Sequence, residues 1–140
     1  MNIVDAVGRL DWVALVIGSV AYFLLGALWF TPLFGRAWDR SVGVTRSRGE
    51  RFPLIYYVVP LLSGTLITIA TVWLVAALEL REPVGAVVLG AVVGGGIAAA
   101  VSITNAVVPT IPHPLVFGGI TGGYHAIGIT MVALIATMIG

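Results

Sequence analysis

Three long stretches of this chain contain no Asp, Glu, Lys or Arg: residues 12–35, 52–78 and 83–140. A helix that crosses a bilayer needs about 20 predominantly apolar residues. The first two stretches each fit one crossing. The third, 58 residues long, would extend about 87 Å as a single helix, against a hydrocarbon core of about 30 Å. It must therefore fold back on itself. Pro109, Pro112 and Pro114 mark the place, because proline removes a backbone donor and restricts the residue before it. This reading gives four spans, at about 12–30, 53–78, 84–108 and 115–139. They form an all-α membrane protein with a single four-helix domain over residues 1–140. Strands are excluded as the crossing element: an open sheet leaves backbone groups unpaired in lipid, and the alternation of a barrel strand is missing.

Composition agrees. Apolar residues make up 59% of the 140 residues and charged residues 9%, against about 25% charged in a soluble domain. The same hydrophobicity excludes disorder. A net charge of +1 gives no basis for nucleic-acid binding, and with no cysteine there is no disulfide, thiolate metal site or thiol nucleophile. The first span lacks a basic leader and a small-residue cleavage site, so it is expected to be retained rather than removed as a signal peptide.

The arginines set an orientation. Arg36, Arg40, Arg46, Arg48 and Arg51 lie in the first loop, Arg81 alone in the second and Arg9 alone in the amino-terminal tail. The positive-inside rule places the first and third loops in the cytoplasm and both termini outside, as expected of an inner (plasma) membrane protein. Within the first loop, Leu33, Phe34, Ala37, Trp38 and Val42 share one helical face and Arg36, Asp39 and Arg40 the other. That pattern predicts a short helix in the headgroup layer, with Phe34 and Trp38 as interfacial anchors. Trp29 and Trp12 sit at opposite interfaces, as aromatic belts require.

Small residues predict how the spans meet. Lipid tails are as apolar as leucine, so helices associate through close contact and interhelical hydrogen bonds. In span three Ala86, Gly90, Gly94, Ala98, Ser102 and Ala106 recur every four residues; span four repeats the device with Gly118, Gly122, Ala126 and Thr130. Two such ridges pack on each other, on a second copy of the chain, or on both. The Pro32–Gly35 and Pro114–Gly118 segments echo each other weakly, which chance explains better than duplication does.

Chemistry-bearing residues at membrane depth are few. The spans hold no carboxylate for proton-coupled transport, no paired carboxylates for hydrolysis and no nucleophile elbow. No enzymatic activity, cofactor or metal is expected. His125, beside Tyr124, is the one imidazole inside a span. It is either a functional contact (a gate, a ligand contact or a haem ligand) or a structural one, bonded across helices to Asn105, Thr104, Ser102 or a hydroxyl of span two. Asn105 either ends span three or lines a polar cavity. His113, between two prolines, is expected to be an exposed loop residue.

Two segments resemble a known family. Leu28-Trp29-Phe30-Thr31-Pro32-Leu33-Phe34-Gly35-Arg36-Ala37-Trp38, and Gly123-Tyr124-His125 preceded by Asn105, are similar in order and spacing to motifs of the bacterial integral membrane family known as domain of unknown function 1761. The resemblance implies four spans and points to the same candidate positions, but it implies no activity. The loop from Val107 to Pro114 departs from the family pattern in carrying no charge.

The best-supported role at this level is an oligomeric helix bundle that binds or passes a neutral or lipophilic small molecule, with His125, Tyr124, Asn105 and Trp29 as contacts. The alternative is a non-catalytic accessory or structural subunit in which those residues only lock helices. The expected partners are the lipid bilayer and either a second copy or another membrane protein.

Overall fold

A computed structural model describes residues 4–47 and 49–140, so Arg48 of the first loop lies outside the described residues. Four helices are long and apolar enough to cross a membrane: α1 (Trp12–Leu33), α3 (Ile55–Ala77), α4 (Pro83–Ala106) and α5 (Pro114–Ile139), with the short α2 (Gly35–Val42) between the first two. No strand occurs among the described residues.

Local chemistry sets the helix ends. Asp11 caps α1, its carboxylate accepting from the backbone N–H of Val13 at 2.8 Å and of Ala14 at 3.0 Å. At the other end Pro32 has no N–H to give, and the helix widens into a π-turn over Trp29–Leu33, closed by Phe34 N–H donating to the Trp29 carbonyl at 2.8 Å. Span one thus runs three residues past the expected Phe30. Gly35 then lets the chain reverse, since a Cβ there would stand 2.8 Å from the Phe30 carbonyl oxygen. Helix α2 ends at Gly43 (φ 74°), with Val44 N–H reaching back to the Asp39 carbonyl, a Schellman closure. The same closure ends α3, but there the left-handed residue is Glu79 (φ 53°), a strained choice for a side chain with a Cβ. Pro83 follows as the first residue of α4, where its missing donor is harmless.

The two ends of the bundle are tied separately. At one end His113 N–H donates to the Ser41 carbonyl at 3.1 Å, joining the third loop to α2. At the other, the Arg81 guanidinium donates to the Gly140 carbonyl at 2.9 Å. The first and third loops therefore share one end, as four antiparallel crossings require.

Helix α2 departs from expectation. Trp38 does not sit free in the headgroup layer: it is half-buried, 6.2 Å between ring centroids from both Phe30 of α1 and Phe117 of α5. The tight reversal at Gly35 and the tether at Ser41 draw α2 against the bundle. Leu33 and Phe34 stay exposed, Phe34 stacking on Trp29 at 4.7 Å. Asp39, expected on the polar face, is turned to Arg46, which also donates to the Gly35 carbonyl and lies over the Phe52 ring.

Helix α5 is the central element, packed against α1, α2, α3 and α4. Its seam with α4 is close enough that backbone atoms meet across it. A Cβ on Gly94 would lie 2.9 Å from Ala126 Cα, one on Gly90 2.6 Å from Thr130 Cα, and one on Gly118 2.9 Å from Ile103 Cα. The small-residue ridge is real but does not keep a period of four. Residues Gly90–Ala99 form a π-helix, and the residue facing Gly122 is Ala99, five after Gly94, rather than Ala98. A π-turn advances by more residues than an α-turn, so the ridge steps by five there and resumes at Ile103 and Ala106. Ala98 is half-buried and still packs on the core, and Ala86 is fully buried.

The outward surface is apolar. Along α3 Ile55, Tyr57, Val59, Leu62, Leu66 and Ile69 all stand exposed, a surface suited to lipid rather than water. Inside, Tyr22, Thr68, Thr71 and Val132 are the largest fully buried side chains within the spans. Thr68, Thr71 and Thr137 satisfy their hydroxyls on the carbonyl four residues earlier, so they enter the core with no unpaired polar atom.

Candidate functional site

Glycines open the space in which the polar residues of the bundle meet. Tyr22 of α1 lies between Gly64 of α3 and Gly128 of α5; a Cβ on either would stand 3.1 Å and 2.6 Å from its ring. So seated, the Tyr22 hydroxyl shares a 2.7 Å hydrogen bond with Nδ1 of His125. With the hydroxyl donating, the proton of the imidazole sits on Nε2. The Tyr124 ring packs edge-on to Tyr22 at 5.1 Å and to Phe30 at 5.1 Å, and its hydroxyl donates to the Tyr22 carbonyl at 3.2 Å. One turn or more toward the first loop, Trp29 Nε1 donates to the Ile120 carbonyl at 2.9 Å. Three hydrogen bonds thus stitch α1 to α5 in the apolar interior. In membranes such bonds contribute about 0.6 kcal/mol each on average and about 1.7 at most.

Above this knot, toward the first loop, α1 and α3 part around a cavity of about 400 Å³. Phe23, Gly26, Ala27, Phe30 and Thr31 line it from α1; Tyr56, Tyr57 and Pro60 from α3; Phe117, Thr121 and Tyr124 from α5; and Trp38, Arg46 and Phe52 complete its upper end. The fork has a visible origin. Gly18 and Gly64 allow α1 and α3 to touch lower down, against Thr68 and Tyr22, whereas at Pro60 and above large aromatic side chains hold the helices apart. The walls are overwhelmingly aromatic. The one charged group, Arg46, is already paired with Asp39, so the cavity presents no uncompensated charge from that pair.

Two polar groups around the cavity are engaged with the protein. The Tyr124 hydroxyl is held by the Tyr22 carbonyl, and Arg46 by Asp39 and Gly35. Thr121 differs: its Oγ1 is buried and has no hydrogen-bond partner. Asp39 Oδ1 and Trp73 Nε1 share that condition among the described residues, but neither residue lines the cavity. No group of three or more His, Cys, Asp or Glu able to hold a metal occurs among the described residues.

The four residues singled out as ligand contacts separate in the structure. Tyr124 lines the cavity with its ring. His125 and Trp29 do not line it, and their polar atoms are engaged in interhelical bonds. The partner of His125 is Tyr22 of α1, not a residue of α3 or α4 as the sequence suggested. Asn105 is exposed and joins neither the knot nor the cavity. It lies one residue before Ala106, which faces α5, and hence about 100° around the helix from it. His113 is exposed in the third loop. The residues missed by sequence reading are Tyr22, Thr121 and the aromatic lining of α3. For Tyr22 a signal existed: it is the sole tyrosine of the first span, spaced four residues before Gly26 and four after Gly18.

The arrangement defines a small helical protein with four helices long and apolar enough to cross a membrane and an aromatic lateral cavity among the described residues. Residues 13–137 match the family described as protein of unknown function (DUF1761), and the chain belongs to that family. No curated protein and no solved structure matches it.

Proposed function

We propose that this protein binds a neutral, lipophilic small molecule in the cavity between α1, α3 and α5, within a multi-pass protein of the inner (plasma) membrane. The observation that carries the reading is the lining itself: about 400 Å³ walled by eight aromatic side chains, with its only charged residue neutralised by a neighbour. The volume lies in the range of small-molecule sites, which are typically apolar with few polar groups. Binding or passage, rather than catalysis, fits spans that contain no carboxylate, lysine or arginine. The arginine-rich first loop favours a cytoplasmic position for the cavity end of the bundle and an outside position for both termini.

The reading is tested by filling the cavity. Ala27 is exposed at its edge, so Ala27→Phe adds bulk there without entering the α1–α5 seam. Lipophiles extracted from the purified protein and identified by mass spectrometry are expected to be enriched with the natural chain and absent with Ala27→Phe. An identical extract from both proteins would refute the cavity as the site.

A second reading, a non-catalytic accessory subunit, is favoured by a different feature. Gly95 and Gly96 of α4 face outward, and a Cβ on Gly95 would meet no atom within 4 Å. Glycines that lower helix propensity without serving a contact inside the chain support association with a second copy or another membrane protein. Cross-linking in native membranes tests it; only monomers at any cross-linker concentration would remove the support.

A further inference from the structure

Polar side chains are not spread evenly along the aromatic cavity. Thr31 lies near the end of α1, Trp38 on α2, and Tyr56 and Tyr57 in the first turn of α3, all at the end of the bundle nearest the first loop. Among the described residues none of these four side chains has a hydrogen-bond partner. Thr31, Tyr56 and Tyr57 are exposed, and the indole N–H of half-buried Trp38 is reachable, since it does not join Thr121 Oγ1 among the buried atoms without a partner. Deeper in, the wall offers a ligand no polar side-chain group. The Tyr124 hydroxyl is spent on the Tyr22 carbonyl, the Thr121 oxygen is sealed from the cavity, and Phe23, Gly26, Ala27 and Pro60 carry no polar side-chain atom. From Thr31 to Phe23 is eight residues, about 12 Å along the helix. That is most of one leaflet, whose hydrocarbon is about half of the 30 Å core. The cavity opens sideways: Ala27 and Thr31 on α1 and Tyr56, Tyr57 and Pro60 on α3 stand exposed on either side of the gap.

We infer that the ligand of this cavity is a neutral single-chain amphiphile, a monoacylglycerol being the simplest member of the class. It enters between α1 and α3 from the leaflet on the first-loop side. Its head lies among Thr31, Trp38, Tyr56 and Tyr57, and its chain runs toward Phe23 and Tyr124. This rests on the proposed binding reading and names the ligand class. The polarity of the wall changes along the cavity in the same sense as along a lipid, from hydrogen-bonding groups at headgroup level to apolar groups below. Hydroxyls both donate and accept and the indole donates, so together they match a head of hydroxyls and ester oxygens. Arg46, the one charged residue of the wall, is compensated by Asp39, so a charged head would gain no free counter-charge from that pair. A volume of about 400 Å³, near the lower end for small-molecule sites, suits one chain rather than two. Sideways entry keeps the chain in apolar surroundings throughout. An aromatic belt accounts for exposed tyrosines at the interface, but not for the apolar space that continues beneath them.

The test maps both ends of the ligand. Two photoreactive analogues of 1-monolauroylglycerol are used, one with a diazirine on the chain beside the ester and one with it at the chain end. Each is irradiated with the full chain in lipid nanodiscs, and labelled peptides are located by mass spectrometry. Labelling that excess 1-monolauroylglycerol removes is counted as saturable. The ester-side probe is expected on residues 31–38 and 52–57, and the chain-end probe on residues 23–27 and on Tyr124. The lipid-facing Leu62 and Leu66 are expected to carry no saturable label. As competitors, dodecyl phosphate and dodecyltrimethylammonium are expected to be at least about tenfold weaker than the neutral lipid, because their charge finds no partner in the wall. Ala27→Phe is expected to abolish saturable labelling. The two probes labelling the same residues, or in the reverse order, overturns the placement of head and chain, and equal competition by a charged lipid overturns the neutral class; either leaves a lipophile-binding cavity standing. Labelling that does not saturate, that saturates only on Leu62 and Leu66, or that survives in Ala27→Phe overturns both readings. The map on the natural chain decides the matter even if Ala27→Phe does not fold.

Discussion

Gly90→Ala and Gly95→Ala place the same methyl group on the same π-helical segment of α4, five residues apart, with opposite expected effects. At Gly90 the new Cβ would lie 2.1 Å from Thr130 Oγ1 and 2.6 Å from Thr130 Cα. The hydroxyl can rotate away, but the Cα cannot. Ordinary carbon–carbon contact is about 3.5–4.0 Å, so α4 and α5 must separate by about 1 Å at that point. A gap of that size forfeits about a quarter to a half of the dispersion attraction of the atoms along it. The neighbouring contacts of Gly94 with Ala126 and Gly122 with Ala99 share the loss, because they lie on the same seam. Overpacking of this kind costs about 1–3 kcal/mol, and the spread of the gap along the seam puts the expected value near the top of that range. Replacing glycine by alanine returns up to about 1 kcal/mol of helix propensity. The net expectation is a loss of about 2 kcal/mol. At Gly95 nothing lies within 4 Å, so only the propensity term remains and the change is neutral to stabilising by up to about 1 kcal/mol. The two variants should therefore differ by about 3 kcal/mol, more than a hundredfold in the folding equilibrium. Reversible unfolding in mixed micelles, titrated with dodecyl sulfate and followed by tryptophan fluorescence, measures both. If Gly90→Ala proves as stable as Gly95→Ala to within about 0.5 kcal/mol, the α4–α5 seam is not as close as described and the register argument fails.

Three further outcomes are expected. Tyr22→Phe and His125→Ala should each destabilise the bundle, and a double-mutant cycle should return a coupling of about 0.6–1.7 kcal/mol, the range measured for hydrogen bonds between membrane helices; additive effects would show that the 2.7 Å contact contributes nothing. Asp39→Ala should free Arg46 and loosen the segment between α2 and α3, costing no more than about 1 kcal/mol because the pair is only partly buried, but accelerating tryptic cleavage after Arg46; an unchanged digestion rate would remove the pair's role in holding that segment. The chain has no cysteine, so Glu50→Cys and Glu82→Cys provide clean single labels at opposite ends of the bundle. An impermeant maleimide added to intact cells should modify Glu82→Cys and spare Glu50→Cys, and the reverse result would invert the proposed orientation.

Much of the architecture was legible because the bilayer imposes few choices. The charge-free stretches and the proline cluster located four spans to within about three residues at each end, since a backbone in lipid has helix as its only local solution. The small residues of spans three and four named the partners of the tightest seam correctly as pairs of helices. They did not reveal the step of five at Ala99, because a π-turn leaves no periodic mark in a run of Gly, Ala and Val. The candidate site was less legible. Searching for polar residues at membrane depth found His125, Tyr124 and Trp29, which do cluster between α1 and α5. It also brought in Asn105, which the helical rotation turns outward. It passed over Tyr22, whose hydroxyl serves as the partner of His125, and over Thr121, one among many hydroxyls.

Hydrophobic length and the proline cluster, both properties of single segments, were enough to determine the number of long apolar helices and their limits. They act through transfer of each segment from water to lipid, which depends on that segment alone. Which faces meet depends on the rotation of every helix about its axis, and that is set jointly by glycines and bulky rings on different segments. Only the assembled bundle therefore decided that Tyr22 fits between Gly64 and Gly128, that Trp38 turns inward against Phe30 and Phe117, and that the Thr121 hydroxyl is buried without a partner.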